Sequence, residues 1–246
     1  MQETYFIDIN ADLGEGVGQD QTLMPYLSSC NIACGGHAGD EKSILTTVNL
    51  AKENNVKIGA HPSYPDTKNF GRVVMDIKDL DLKDSLMSQI SAFYEIAHQN
   101  NLDVNHVKAH GALYNEMAKN EKVAALFLEV LNHLGVQPKI YIPYNSIFFK
   151  LVKDHTNLIT EAFIDRAYHK NLSLVSRTIP ESLHKTPEKA WNQLYNMVVN
   201  QKVNTIDKTN ESLIADTYCI HGDHPNALAI LKFITKEMKK HHIYLK

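Results

Sequence analysis

The chain has 246 residues, long enough to bury a full core as one domain or two, and its 43% hydrophobic and 22% charged residues are those of a globular protein rather than a disordered one. A net charge of -3 and a pI near 6.5 give no field that would gather nucleic acid or an anionic membrane surface. No apolar run approaches spanning length, and the opening MQETYFIDIN lacks the basic and apolar regions of a signal peptide, so a cytoplasmic protein with neither nucleic acid nor membrane as partner is expected.

In chain order, short β-branched runs bounded by Gly, Pro, Asn or Asp alternate with longer segments of helical periodicity. Strands are predicted at Tyr5 to Asn10, Ser29 to Cys34, Val56 to His61, Val104 to His110, Lys139 to Pro143, Leu158 to Asp165 and Tyr218 to Asp223. A helix is predicted from Asp81 to Asn101, where Leu82, Leu86, Ile90, Phe93 and Ala97 form one apolar stripe. Val123, Leu126, Phe127, Val130, Leu131 and Leu134 make a second stripe, and Ala227, Leu228, Leu231 and Ile234 a third after Pro225. Lys236, Lys239, Lys240, His241 and His242 close that last helix, where cations suit its dipole. Cys30, Cys34 and Cys219 form no CxxC pair and read as small buried strand residues.

Alternating strands and helices imply a mostly parallel sheet, either open or closed. Polar residues inside or at the ends of nearly every strand favour closure, because an open sheet buried on both faces reads as continuous aliphatic runs. The expected fold is therefore α/β, an irregular seven-stranded parallel (β/α) barrel, TIM-like, with residues 1–246 as one domain.

The strand ends carry the chemistry. Asp8, Asn10 and Asp12, Asn31 and His37, His61, Lys108 and His110, Glu161, Asp165 and Arg166, and His221 and Asp223 are predicted to converge on the mouth formed by the C-terminal strand ends. Period-two alternation puts Asp8, Asn10 and Asp12 on one face and Lys108 with His110 on another, with His106 deeper and structural. Asp40 reads as a helix N-cap. The run from Asp8 fails as a calcium loop, since positions 13 and 19 are Leu13 and Gln19. Any divalent ion would fall to Asp12, His37 and His61. Gly14, Gly16 and Gly18 form either an anion cradle or a structural turn. The absence of GKS or GKT, HExxH, GxSxG and CxxC removes P-loop, zinc-protease, serine-hydrolase and thiol-redox readings and leaves acid/base work by carboxylates and imidazoles.

DINADLGEG at 8–16, NIACGGHAGD at 31–40, IGAHPSYPD at 58–66, FGR at 70–72, VKAHGALYN at 107–115, EAFIDRAY at 161–168 and CIHGDHPNA at 219–227 occur in that order. Together they resemble the LamB/YcsF family of lactam-utilisation proteins. The resemblance implies a barrel similar to the glycoside hydrolase/deacetylase class, and ATP-dependent hydrolysis of 5-oxoproline to glutamate alongside the B and C subunits of a 5-oxoprolinase. On that reading Asp12, His61, Lys108 and His110 are the catalytic candidates. Asn10, Glu15, His37, Arg72, Asn115, Glu161, Asp165, Arg166, His221 and Asp223 are candidates for holding substrate or ATP, with Mg2+ accompanying the nucleotide. Proton transfer is expected from Asp12 with His61 or His110, and anion binding from Lys108 and Arg72. Glu161, Asp165 and Arg166 form either a local ion-pair cluster or ligand contacts. Val73 and His224 depart from the family pattern. Two other readings stay open: a metal-dependent deacetylase or amidohydrolase on the same barrel, and a ligand-binding subunit without catalysis.

Overall fold

The computed structural model describes residues 3–152 and 157–246. Ten strands are present among them: β1 (Tyr5–Leu13), β2 (Ser29–Ala33), β3 (Lys57–His61), β4 (Val104–Val107), β5 (Lys139–Pro143), β6 (Leu158–Phe163), β7 (Lys202–Asn204), β8 (Asn210–Ser212), β9 (Thr217–His221) and β10 (Ile243–Leu245). The helices are α1 (Asp20–Leu23), α2 (Glu41–Glu53), α3 (Asp79–Gln99), α4 (Gly111–Met117), α5 (Glu121–His133), α6 (Ile147–Val152), α7 (Pro187–Asn200) and α8 (Ala227–Lys240).

Seven strands close a parallel barrel in the order β1, β2, β3, β4, β5, β6, β9, with β9 pairing back onto β1. All seven predicted strands are in it. β1 runs past Asn10 to Leu13 because β2 and β9 both pair with its second half. The fourth and sixth end early, at Val107 and Phe163, where the chain leaves the ladder for loops. The short strand β10, which no periodicity marked, pairs with the leading half of β1, Tyr5 against Ile243. A small antiparallel hairpin, β7 with β8, lies apart from the barrel.

Side-chain alternation sorts β1 into two environments. Ile7, Ile9, Ala11 and Leu13 join the core cluster that includes residues of the surrounding helices, such as Val48, Leu86 and Leu231. Asp8, Asn10 and Asp12 are buried on the other face, inside the barrel. The interior is a polar column. Asp8 accepts from Ser29 and Thr217 at 2.7 Å each, so it is a structural acceptor rather than a group at the mouth. One layer up, Asn10 donates to Glu161 at 3.0 Å and Asn31 donates to Asn10 at 2.7 Å and to Asp12 at 2.8 Å. His106 donates through Nε2 to Asn31 at 2.7 Å and stacks on Tyr141, which places it below the mouth as expected of a structural histidine.

The helices are set by ordinary terminal chemistry. Asp40 caps α2 in a reciprocal capping box with Ser43. Asn120 caps α5 and Thr186 caps α7, with Pro187 in its first turn. The cysteines are free and buried, as the sequence implied. Gly14 has φ 72°, and its N–H is taken by the Asp20 carboxylate at 2.8 Å. The Gly14 amide is thus taken up by the chain's own acid.

Candidate active site

A cavity of about 960 Å³ opens at the C-terminal ends of the barrel strands. Asp12, His61, Lys108, His110, Tyr114, Asn115, Glu161, Phe163 and His221 line its floor and sides, and Arg72, Arg166 and Arg177 reach it from loops. One wall is the segment between β6 and α7, which turns back on itself through bridges pairing Arg166 with Leu183 and Tyr168 with Leu174.

At the floor, Lys108 is only 2% exposed. Its ammonium lies 2.9 Å from Asp12 and 3.0 Å from Glu161. Backbone bonds from Lys108 N–H to Ala60 and from His110 N–H to Pro62 extend the β3–β4 pairing past the end of β4, which is why both side chains point into the barrel mouth. Burial alone would discharge Lys108, but Asp12 and Glu161 outweigh it and hold its pKa well above the usual lysine value. Burial likewise opposes the charge on Asp12, and the neighbouring Lys108 and His61 reverse the balance, so its carboxyl stays ionised. Two acids around one base leave this floor with a formal charge of -1. An anion placed against Lys108 would meet both carboxylates, so the lysine suits a positioning role better than the anion-binding role expected of it.

Beside this pair, four side chains converge. His37 Nε2 is 3.0 Å from Glu15, His110 Nδ1 is 3.3 Å from the same oxygen, and His61 Nε2 is 4.0 Å from it. His61 and His110 approach to 3.0 Å through Nε2 and Nδ1. His37 stacks on His110 with centroids 3.6 Å apart. All four residues are buried. Burial, ahead of all other causes, pushes the pKa of His37 down and that of His110 well down, so both rings are neutral near pH 7. Asp12 Oδ1 stands 3.5 Å from His61 Nε2, nearer than Glu15 does, while also accepting from Asn31 and Lys108. The expected Asp12, His37 and His61 set therefore borders this group, to which Glu15 and His110 add two further donors.

At the rim, Arg72 and Arg177 share Asp223, Arg177 at 3.0 Å, leaving one net positive charge. Burial opposes the Asp223 charge, but Arg177 and then Arg72 hold its pKa below the ordinary value. The close approach of Gly111 to Gly71 sets the Arg72 loop against His110. A Cβ on Gly111 would stand 2.6 Å from the Gly71 carbonyl, and Gly111 has φ +55°. Asp165 bonds His221 at 3.0 Å, and Arg166 donates to the Val175 carbonyl at 2.6 Å. Of the two readings for Glu161, Asp165 and Arg166, the local cluster is not formed: Glu161 turns to Lys108, Asp165 to His221, and Arg166 lines the cavity while donating to Val175. Cys219 touches Lys108 at 3.1 Å, but burial holds its thiol protonated, which removes it as a nucleophile. Tyr114 and Arg177 were not among the predicted residues. Tyr114 stands within the VKAHGALYN motif, whereas Arg177 lies in an aperiodic segment with no local signal.

Three buried atoms of cavity-lining residues have no hydrogen-bond partner within 3.5 Å: Tyr114 Oη, Glu161 Oε2 and Arg166 Nε. Burial first, and Glu161 second, hold the tyrosine phenol well above its usual pKa, so it remains a donor.

A closed parallel barrel with ionisable groups gathered at the carboxyl ends of its strands has the architecture of a barrel enzyme. The chain belongs to the LamB/YcsF family, whose family model matches residues 7–246. It is 38% identical over 238 residues to the A subunit of the 5-oxoprolinase of Haemophilus influenzae (strain PittEE), covering 96% of this chain and 97% of that one. The crystal structure of a lactam utilization protein from Thermus thermophilus superposes with a TM-score of 0.90 at 30% identity, covering 98% and 99% of the two chains. A CE4 family pseudoenzyme mutant superposes with a TM-score of 0.51 at 11% identity over all of this chain and 66% of that one, a likeness of fold alone. Among the described residues no helix is long and apolar enough to cross a membrane.

Proposed function

We propose that this chain is the A subunit of an ATP-dependent 5-oxoprolinase, opening 5-oxo-L-proline to L-glutamate together with subunits B and C, with Mg2+ accompanying ATP. The observation that carries the reading is the near-full-length identity to the A subunit of a 5-oxoprolinase. The site supports it in three respects.

A lactam presents an N–H and a C=O on one edge, and the Glu161 carboxylate and Tyr114 phenol, both lining the cavity, offer an acceptor and a donor for it. The cationic rim of Arg72 and Arg177 suits phosphate or the substrate carboxylate. A five-membered lactam is a stabilised amide, and phosphorylation of its oxygen by ATP, with release of ADP, makes the amide carbon a better electrophile. Water attack and loss of the ring nitrogen then leave an acyl phosphate that a second water hydrolyses to glutamate and phosphate. The chain's own part is to bind the ring at the floor, take a proton from attacking water where Asp12, His61 and His110 converge, and return one to the departing ring nitrogen. Lys108 holds Asp12 and Glu161 in register for those tasks. The cavity volume lies near the upper end of the range for small-ligand sites, enough for a small acid and part of a nucleotide.

The test is co-expression with the B and C subunits and measurement of glutamate and ADP from 5-oxoproline, with and without this chain. Both products appearing only in its presence would establish the reading. No turnover from a folded, verified three-subunit complex would overturn it.

A further inference from the structure

The geometry points to a binding site for one divalent transition-metal ion of the zinc class, held by Glu15, His37, His61 and His110. It rests on proton placement rather than on the lactam reading. With the ion bound, the proton transfer assigned above to the Asp12, His61 and His110 corner falls to Asp12, because both nitrogens of His61 and of His110 are then taken. His61 Nδ1 faces the Lys108 carbonyl at 2.8 Å, and His110 Nε2 faces the Phe70 carbonyl at 3.0 Å. A carbonyl only accepts, so each of those nitrogens must carry its ring's proton. The opposite nitrogens, His61 Nε2 and His110 Nδ1, are then the ones free to hold a cation, and they face each other across 3.0 Å. Glu15 Oε1 stands 3.3 Å from one and 4.0 Å from the other. Electron-rich atoms do not gather so closely in a buried space unless something positive lies between them.

A proton could bridge the His61–His110 pair, but it would serve two of the four donors. His37 Nε2 and Glu15 Oε1 meet 3.0 Å apart at the same place, and His37 Nδ1 has no partner. All four donor atoms lie within 4.8 Å of one another. A tetrahedral zinc site with bonds of about 2.0–2.1 Å has donors roughly 3.3 Å apart, so modest closure of this group gives the required shell. Backbone carbonyls that fix the distal ring protons are the usual support of histidine ligands. Three imidazoles and one carboxylate favour zinc, manganese, iron or cobalt, and are unsuited to magnesium, which prefers oxygen ligands and retained water. His61 and His110 also line the cavity, so the ion would sit at its floor beside Asp12.

The test uses the full chain stripped with a chelator and reconstituted with Co2+ or Zn2+. About one equivalent of metal should be retained through gel filtration. The cobalt form should show the visible bands of a low-coordinate nitrogen and oxygen site, without cobalt–thiolate absorption. Glu15→Gln and His61→Ala should each weaken Zn2+ binding at least tenfold, while Lys239→Ala, exposed in the last turn of α8, should leave it unchanged. Should a cluster variant fail to fold, the cobalt spectrum of the unmodified chain still decides. Folded unmodified protein that retains under a tenth of an equivalent and gives no cobalt bands would overturn the site, as would full occupancy in a folded His61→Ala variant.

Discussion

Lys108→Met is the sharpest perturbation the structure offers, because methionine keeps most of the stem volume while removing a charge that sits 2.9 Å and 3.0 Å from two carboxylates. Lys108 is 2% exposed and Glu161 is equally buried, so water cannot take over the neutralisation. Stranding buried charge in this way typically costs about 3–5 kcal/mol. At roughly 2–4 °C per kcal/mol for a chain of this size, Tm should fall by about 6–20 °C. Urea unfolding followed by circular dichroism would measure the loss directly, with an unchanged slope showing that the native state stays compact. Glu161→Gln in the Lys108→Met background removes one stranded carboxylate and should restore a substantial part of the loss, with a coupling of about 0.5–3 kcal/mol. A cost below about 1 kcal/mol for the single variant, or a double variant no more stable than the single, would refute the account of the floor. In the assembled complex, Lys108→Ala should reduce turnover on the order of a hundredfold, through misplacement of Asp12 and Glu161. Near-normal turnover would remove Lys108 from the machinery.

Arg177→Ala leaves Asp223 to Arg72 alone and should raise the KM for ATP about 10- to 100-fold, as expected for loss of one charge-assisted bond; an unchanged KM would place the phosphates elsewhere. Gly59→Ala drives a Cβ to 2.2 Å from the His106 ring and should cost about 1–3 kcal/mol in urea unfolding, through displacement of His106 from Asn31. Asp165 is pulled well below its ordinary carboxyl pKa by His221, despite burial. Its folded form therefore binds fewer protons than its unfolded form in acid, and its contribution is complete above the unfolded pKa near 4 and is lost as pH falls below it. Stability of the unmodified chain should drop between about pH 4 and pH 2 more steeply than that of Asp165→Asn; parallel profiles would contradict the pairing.

The barrel was legible because its strands carry polar residues at alternate positions. Asp8, Asn10 and Asp12 make no sense in a sheet covered by helices on both faces, and the structure buries all three inside the barrel. The mouth was legible for the same reason, since Lys108 and His110 keep strand alternation after the ladder formally ends. Partners were not legible. Nothing in the sequence distinguishes Glu161, which turns inward to Lys108, from Asp165, which turns to His221, because the division depends on where β6 stops. Arg177 escaped notice because its position depends on the path of the β6–α7 segment, not on any period. The grouping of Glu15 with three histidines was hidden because each residue comes from a different loop or strand end, and only closure of the barrel brings them within reach.

Closure itself makes the first strand dependent on one of the last. Asn10 pairs with Cys219 in the β1–β9 ladder, a separation of 209 residues. At about 5–20 residues per second of synthesis, β1 waits roughly 10–40 s for the neighbour that completes the barrel. An aliphatic strand held that long with an open edge would be a template for aggregation. The acids and amides that later build the floor keep one face of β1 hydrated during the delay, so the residues that make the mouth polar also protect the nascent chain.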